Sequence, residues 1–189
     1  MTRFLFITCI LAGLASCSEP SGNAGSADLQ GLARDSLKKM EIFLQPKAFP
    51  DLMVSVGVDE TPVALADVGD GARLINLWAT WCAPCVKELP ALDRLAAEKN
   101  SDAFEVVAIS VDRGKSQKLL DFLKKTKVSN LPLVRDPEAA FPQAMGLGVL
   151  PVTFVVSKDG EIIGQLLGEA DWDSKEAKAF VDALAAGES

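Results

Sequence analysis

Trp81-Cys82-Ala83-Pro84-Cys85 places two thiols two residues apart, a spacing that can bring both sulfurs together at the amino terminus of a helix. Free N–H groups and the positive end of the helix dipole stabilise a thiolate there and lower the pKa of the first cysteine. Cys82 is therefore expected to be the exposed nucleophile and Cys85, one turn in, the resolving thiol. Pro84 suits the first helical turn, where a missing N–H costs nothing. Two other readings are weaker. Half a zinc site would need two further ligands, and a static disulfide closing so short a loop stabilises a fold very little. On a βαβ unit, redox exchange is the default for such a pair.

Composition narrows the chemistry further. The chain has 189 residues, 19 Lys plus Arg against 26 Asp plus Glu for a net charge of −7, four cysteines and no histidine. Without imidazole there is no Ser-His-Asp triad, no Cys-His pair and no histidine metal site, so no metal or other cofactor is expected. Cysteine, carboxylate, lysine and backbone must carry any reaction. A single domain with about 150 ordered residues buries roughly 70% of its unfolded surface and needs no disulfide staples. Acidity argues against binding nucleic acid.

The amino terminus reads as a targeting segment. Arg3 is followed by an apolar run from Phe4 to Leu14 and then by small residues, the layout of a secretory signal over residues 1–16. The run is shorter than the ~20 residues that cross a bilayer. Leu14-Ala15-Ser16-Cys17 resembles a bacterial lipoprotein box, which would make Cys17 the lipidated first residue of the exported chain; an ordinary cleavage site with an incidental cysteine is the other reading. With Cys9 lost in the signal and Cys17 acylated, Cys82 and Cys85 are the two thiols left to an oxidising compartment. Residues 17–28, rich in Ser, Gly and Ala, read as a flexible tether.

The elements that must hold the thiols are legible in outline. Leu29, Leu32, Ala33, Leu37, Met40 and Leu44 recur at three- and four-residue intervals, predicting an amphipathic helix over residues 28–44 that Pro46 and Pro50 stop, within an amino-terminal unit of residues 29–46. Residues 53–58 and 62–65 read as a strand pair around Asp59-Glu60. Residues 73–78 and 104–111 read as buried strands around a helix from Cys85 to Lys99, a βαβ unit with parallel strands and a right-handed crossover. A helix over residues 116–125, a short strand over 131–134, a helical turn over 138–145, a hairpin of 151–156 with 161–166 and a helix over 174–185 complete the order.

The stretch Leu74-Ile75-Asn76-Leu77-Trp78-Ala79-Thr80-Trp81-Cys82-Ala83-Pro84-Cys85, with Val86 to Leu92, resembles the active site of the TlpA branch of the thioredoxin superfamily. Residues 104–114, 148–154 and 167–172 agree, so the resemblance spans about residues 29–186. It implies an α/β thioredoxin-like fold over residues 47–187, a mixed sheet flanked by helices, with an extra amino-terminal helix and β-hairpin. It implies a cis proline at Pro151, with Leu150, Pro151, Trp81, Ala83 and Pro84 bordering a groove that binds substrate. Trp78 reads as core and Trp81 as part of the apolar rim. Asn76 stands where typical thioredoxins carry a buried acid, and an amide cannot accept that proton. Glu88, six residues after Cys82, is the catalytic candidate for it, because related proteins carry a functional acid there; a solvated helix charge is an equal reading.

The resemblance further implies a dithiol reductant of disulfides in exported proteins. It would be a monomer anchored to a membrane of the bacterial periplasm, the inner membrane being favoured, and recharged by an inner-membrane thiol donor. Cytochrome c or cytochrome oxidase maturation would be its setting. Ala83-Pro84 supplies no cation or imidazole to stabilise a thiolate, which favours the reducing side. A copper chaperone of the same fold and a thiol peroxidase are the alternatives.

Overall fold

Every residue of the strand Ala72–Trp78 is buried, as expected of an apolar run with neighbours on both edges and both faces. The computed structural model describes residues 29–187; the signal, Cys17 and the tether lie outside them. Eight strands form one sheet: β1 (Met40–Lys47), β2 (Met53–Val56), β3 (Thr61–Ala64), β4 (Ala72–Trp78), β5 (Phe104–Ser110), β6 (Val134–Arg135), β7 (Val152–Val156) and β8 (Ile162–Leu167). Their spatial order is β1-β8-β7-β4-β5-β6-β2-β3. The central β4 runs parallel to β5 and antiparallel to β7. Helices α1 (Ala83–Lys99), α2 (Ser116–Lys125), α3 (Ala140–Ala144) and α4 (Lys175–Ala186) follow in chain order. This is the mixed α/β sheet of the thioredoxin-like fold, and the hairpin β2–β3 extends one side of it.

Alternation along β4 divides the core into two layers. Leu74 and Trp78 pack with Leu89 and Leu92 of α1, Leu119 of α2 and Phe180 of α4. Ile75 and Leu77 face the other way, towards Phe141 of α3 and Phe154 of β7. Asn76 shares the parity of Leu74 and Trp78, which directs its amide towards the α1 side.

The helix expected over residues 28–44 does not form. A helical turn at residues 29–32 and a 3-10 turn at Asp35–Leu37 lead instead into β1, which pairs antiparallel with β8. The periodic positions Leu29, Leu37 and Met40 are buried, so the pattern reported burial correctly, but Leu44 is 97% exposed. Two features override helical periodicity: Ile42 and Phe43 favour extended backbone, and Gly164 of β8 lets β1 approach. A Cβ at Gly164 would lie 2.7 Å from the Glu41 carbonyl oxygen. Residues 40–46 therefore belong to the same sheet as the rest, and the turns over residues 29–37 lead into it. The short strand expected at 131–134 also shifts, to Val134–Arg135.

Candidate active site

Helix α1 starts at the carboxyl end of β4, after the turn Ala79-Thr80-Trp81. Cys82 is its N-cap, with extended backbone, and its Sγ accepts the Cys85 N–H at 3.3 Å. Pro84 occupies the first turn. The two sulfurs form a disulfide, with Cα atoms 5.3 Å apart. Cys82 is 7% exposed and Cys85 is fully buried. The sequence reading of an openly exposed Cys82 is thus corrected: only the edge of this residue reaches solvent, because the disulfide folds both sulfurs against the helix end. The order of access, Cys82 before Cys85, remains as expected. The Cys85 N–H and the dipole of α1 point at the Cys82 sulfur and favour its thiolate once the pair is reduced.

Two neighbouring loops frame the pair. Asp112, just beyond β5, accepts the Thr80 N–H at 2.8 Å, the Thr80 hydroxyl at 2.6 Å and the Ser110 hydroxyl at 2.8 Å. This ties the turn before Cys82 to the neighbouring strand. Across the site, the Leu150–Pro151 peptide is cis, and the Pro151 carbonyl accepts the Gly168 N–H at 2.9 Å. Backbone groups of Val149 and Leu150 make no hydrogen bond among the described residues. Trp78 is core, whereas Trp81 is 71% exposed and Val149 54%. Ala83 and Pro84 are exposed, Leu150 is half-buried and Pro151 is buried. Trp81, Val149 and Leu150 border an open apolar cleft of about 450 Å³.

Glu88 lies one helical turn beyond Cys85, on the same face of α1. It is only 4% exposed, which overturns the solvated-charge reading. Its carboxylate is held from two sides. Asn76 Nδ2 donates to Oε1 at 2.9 Å and to Thr153 Oγ1 at 2.9 Å. The Ala170 N–H and the Trp172 indole N–H each donate to Oε2 at 3.0 Å. Burial pushes the Glu88 carboxyl up to about 7, against these hydrogen bonds, which favour its charged form. It is consequently poised to take or give a proton near neutrality. Asn76 Oδ1 has no partner, so the amide suits either state: as placed it donates to the carboxylate, and turned over it would accept from the acid.

The spacing of the thiols pointed to Cys82 and Cys85, and the resemblance to Pro151 and Glu88, but neither pointed to Asp112, Thr153 or Trp172 as their supports. Asp112 carried one usable signal: it follows directly from β5, at the carboxyl edge of the parallel pair where sites on such sheets gather.

The chain matches the Redoxin family over residues 45–182. It is 29% identical over 171 residues to the thiol-disulfide oxidoreductase ResA of Bacillus thuringiensis (strain Al Hakam), a similarity covering 88% of this chain and 89% of that one. Two solved structures share the fold. A secreted thiol-disulfide isomerase from Corynebacterium glutamicum superposes with a TM-score of 0.60 at 21% identity, covering 79% of this chain and 92% of that one. The pneumococcal exposed lipoprotein thioredoxin from Streptococcus pneumoniae gives 0.56 at 21% identity, covering 71% and 98%.

Proposed function

This chain belongs to the Redoxin family, and from that premise we propose that it works as a dithiol donor to disulfides in exported proteins. It is a thiol-disulfide oxidoreductase of the ResA and DsbE type, with Cys82 and Cys85 as its active-site pair. The observation that carries the proposed mechanism is the pair itself, capping α1 beside an open apolar rim, with a buried carboxyl pushed up to about 7 one turn behind it.

The Cys82 thiolate attacks one sulfur of the target disulfide, and the other target sulfur leaves as a thiolate. Cys85 then loses its proton towards Glu88 and attacks the Cys82 sulfur. The target departs with its second thiolate, two electrons have passed to it, and Cys82–Cys85 is oxidised. Trp81, Ala83, Pro84, Leu150 and Pro151 line the groove in which the target strand lies. The free backbone groups of Val149 and Leu150 support this placement, since an extended segment can pair with them as an added strand. A thiol donor in the inner membrane restores the dithiol, and acceptors in cytochrome c or cytochrome oxidase maturation fit the resemblance. The equilibrium of the pair with glutathione tests the direction of electron flow.

The anchor is a separate element of the proposal. Acylation at Cys17 holds the domain at the periplasmic membrane surface, with more than the two lipid signals that stable attachment requires. Cells grown with labelled palmitate should mark the wild-type chain and leave Cys17→Ala unmarked; equal labelling of both would remove the anchor.

A further inference from the structure

Next to the substrate cleft lies a patch of charge opposite to that of the molecule that carries it. Beyond the apolar residues at Trp81, Val149 and Leu150, the cleft is bounded by Asp112 and Arg113 on the loop after β5. Arg113 also borders a second hollow of about 180 Å³, lined by Leu119 and Phe122 and by Lys115, Lys118 and Arg135. Four cations thus face one lining carboxylate, Asp112, in a chain of net charge −7. Arg135 is buried and paired with Glu60 at 2.6 Å. Arg113, Lys115 and Lys118 are exposed and lie in no ion pair among the described residues. Asp112 is occupied by Thr80 and Ser110, which fix its place without neutralising it.

Unpaired cations on the hollow that adjoins the cleft form no ion pair among the described residues that would hold the fold together. Surface charges of this kind select partners and speed encounter instead. We infer that the docking face selects acidic polypeptide segments: a large apolar side chain next to the target cysteine fills the cleft beside Trp81, and Asp or Glu residues further along the strand meet Arg113, Lys115 and Lys118. The inference rests on the disulfide-exchange reading and adds the class of target. It also gives the acidic chain a reason to present its positive charge here, since a partner of like charge to the rest of the surface is otherwise repelled.

Two disulfide-bridged peptides test this, alike in an apolar residue beside the cysteine and differing in an Asp/Glu or a Lys flank. Reduced wild-type protein should favour the acidic peptide in kcat/KM by about 10-fold at low salt, and the preference should shrink as salt screens it. The double variant Arg113→Glu/Lys118→Glu, both changes on exposed side chains, should lose or invert the ratio. Equal rates for the two peptides in wild type, or an unaltered ratio in the variant, would overturn the inference. Hydroxyethyl disulfide, small and uncharged, separates the two levels of the claim. If wild type reduces it yet treats both peptides alike, the acidic target falls and disulfide exchange stands; if wild type reduces none of the three, the exchange reading itself falls.

Discussion

Cys85→Ala should stop turnover and leave the protein joined to its targets through Cys82. With the resolving thiol gone, the mixed disulfide can be opened only by a thiol from solution. A well-placed intramolecular group corresponds to an effective concentration far above any cellular thiol, so turnover should fall by about 10³-fold or more. Cys85 is fully buried and Cys82 reaches the surface, so the reverse change, Cys82→Ala, should trap nothing. Non-reducing electrophoresis of cell extracts reads both results: discrete adducts for Cys85→Ala that disappear with dithiothreitol, and none for Cys82→Ala. Removing one buried sulfur costs on the order of 1 kcal/mol, which circular dichroism can confirm leaves the fold intact. Equal adducts from the two variants would contradict the assigned roles.

Glu88→Gln should have the second largest effect. The amide keeps the size and can still accept hydrogen bonds from Trp172 and Ala170, but it cannot take the proton of a thiol. Exchange near neutral pH should slow by roughly 100-fold, the lower end of general acid–base contributions, and the inflection near pH 7 in the wild-type profile should vanish. A profile that keeps this inflection in the variant would place the titrating group elsewhere. Stability reports on the same carboxyl. Its value in the fold is about 7 against an ordinary 4.5, so between those values the folded state retains a proton that the unfolded chain has released. The associated stability is fully present below pH 4.5 and is lost as pH rises through 7, a change of ~3 kcal/mol. Chemical denaturation of the oxidised proteins should show the wild type losing that much more than Glu88→Gln over this range.

The parts of the fold that depend on neighbours in sequence were legible before the structure. Helix α2 occupies the residues its apolar spacing predicts, and β4, α1 and β5 follow from two apolar runs around Cys82-Ala83-Pro84-Cys85. What could not be read depends on contacts far along the chain. Residues 40–44 belong to a helical-looking pattern, yet they extend because β8, more than a hundred positions later, offers an edge that Gly164 leaves open to close approach. Glu88 was undecided for the same reason. Its place on α1 was plain, but whether it met water was settled by Ala170 and Trp172, which close over it from the loop after β8. Asn76 was noticed as an absent acid; the structure gives it a positive role, holding the Glu88 carboxylate.

The most direct test of dithiol donation is the midpoint potential of the Cys82–Cys85 pair, measured by equilibrating the purified domain with glutathione buffers and counting free thiols. A protein that donates electrons to target disulfides should lie on the reducing side, towards the thioredoxin value of about −270 mV. A midpoint close to the value of about −120 mV found for the strong oxidant DsbA would contradict it and make the pair an electron acceptor.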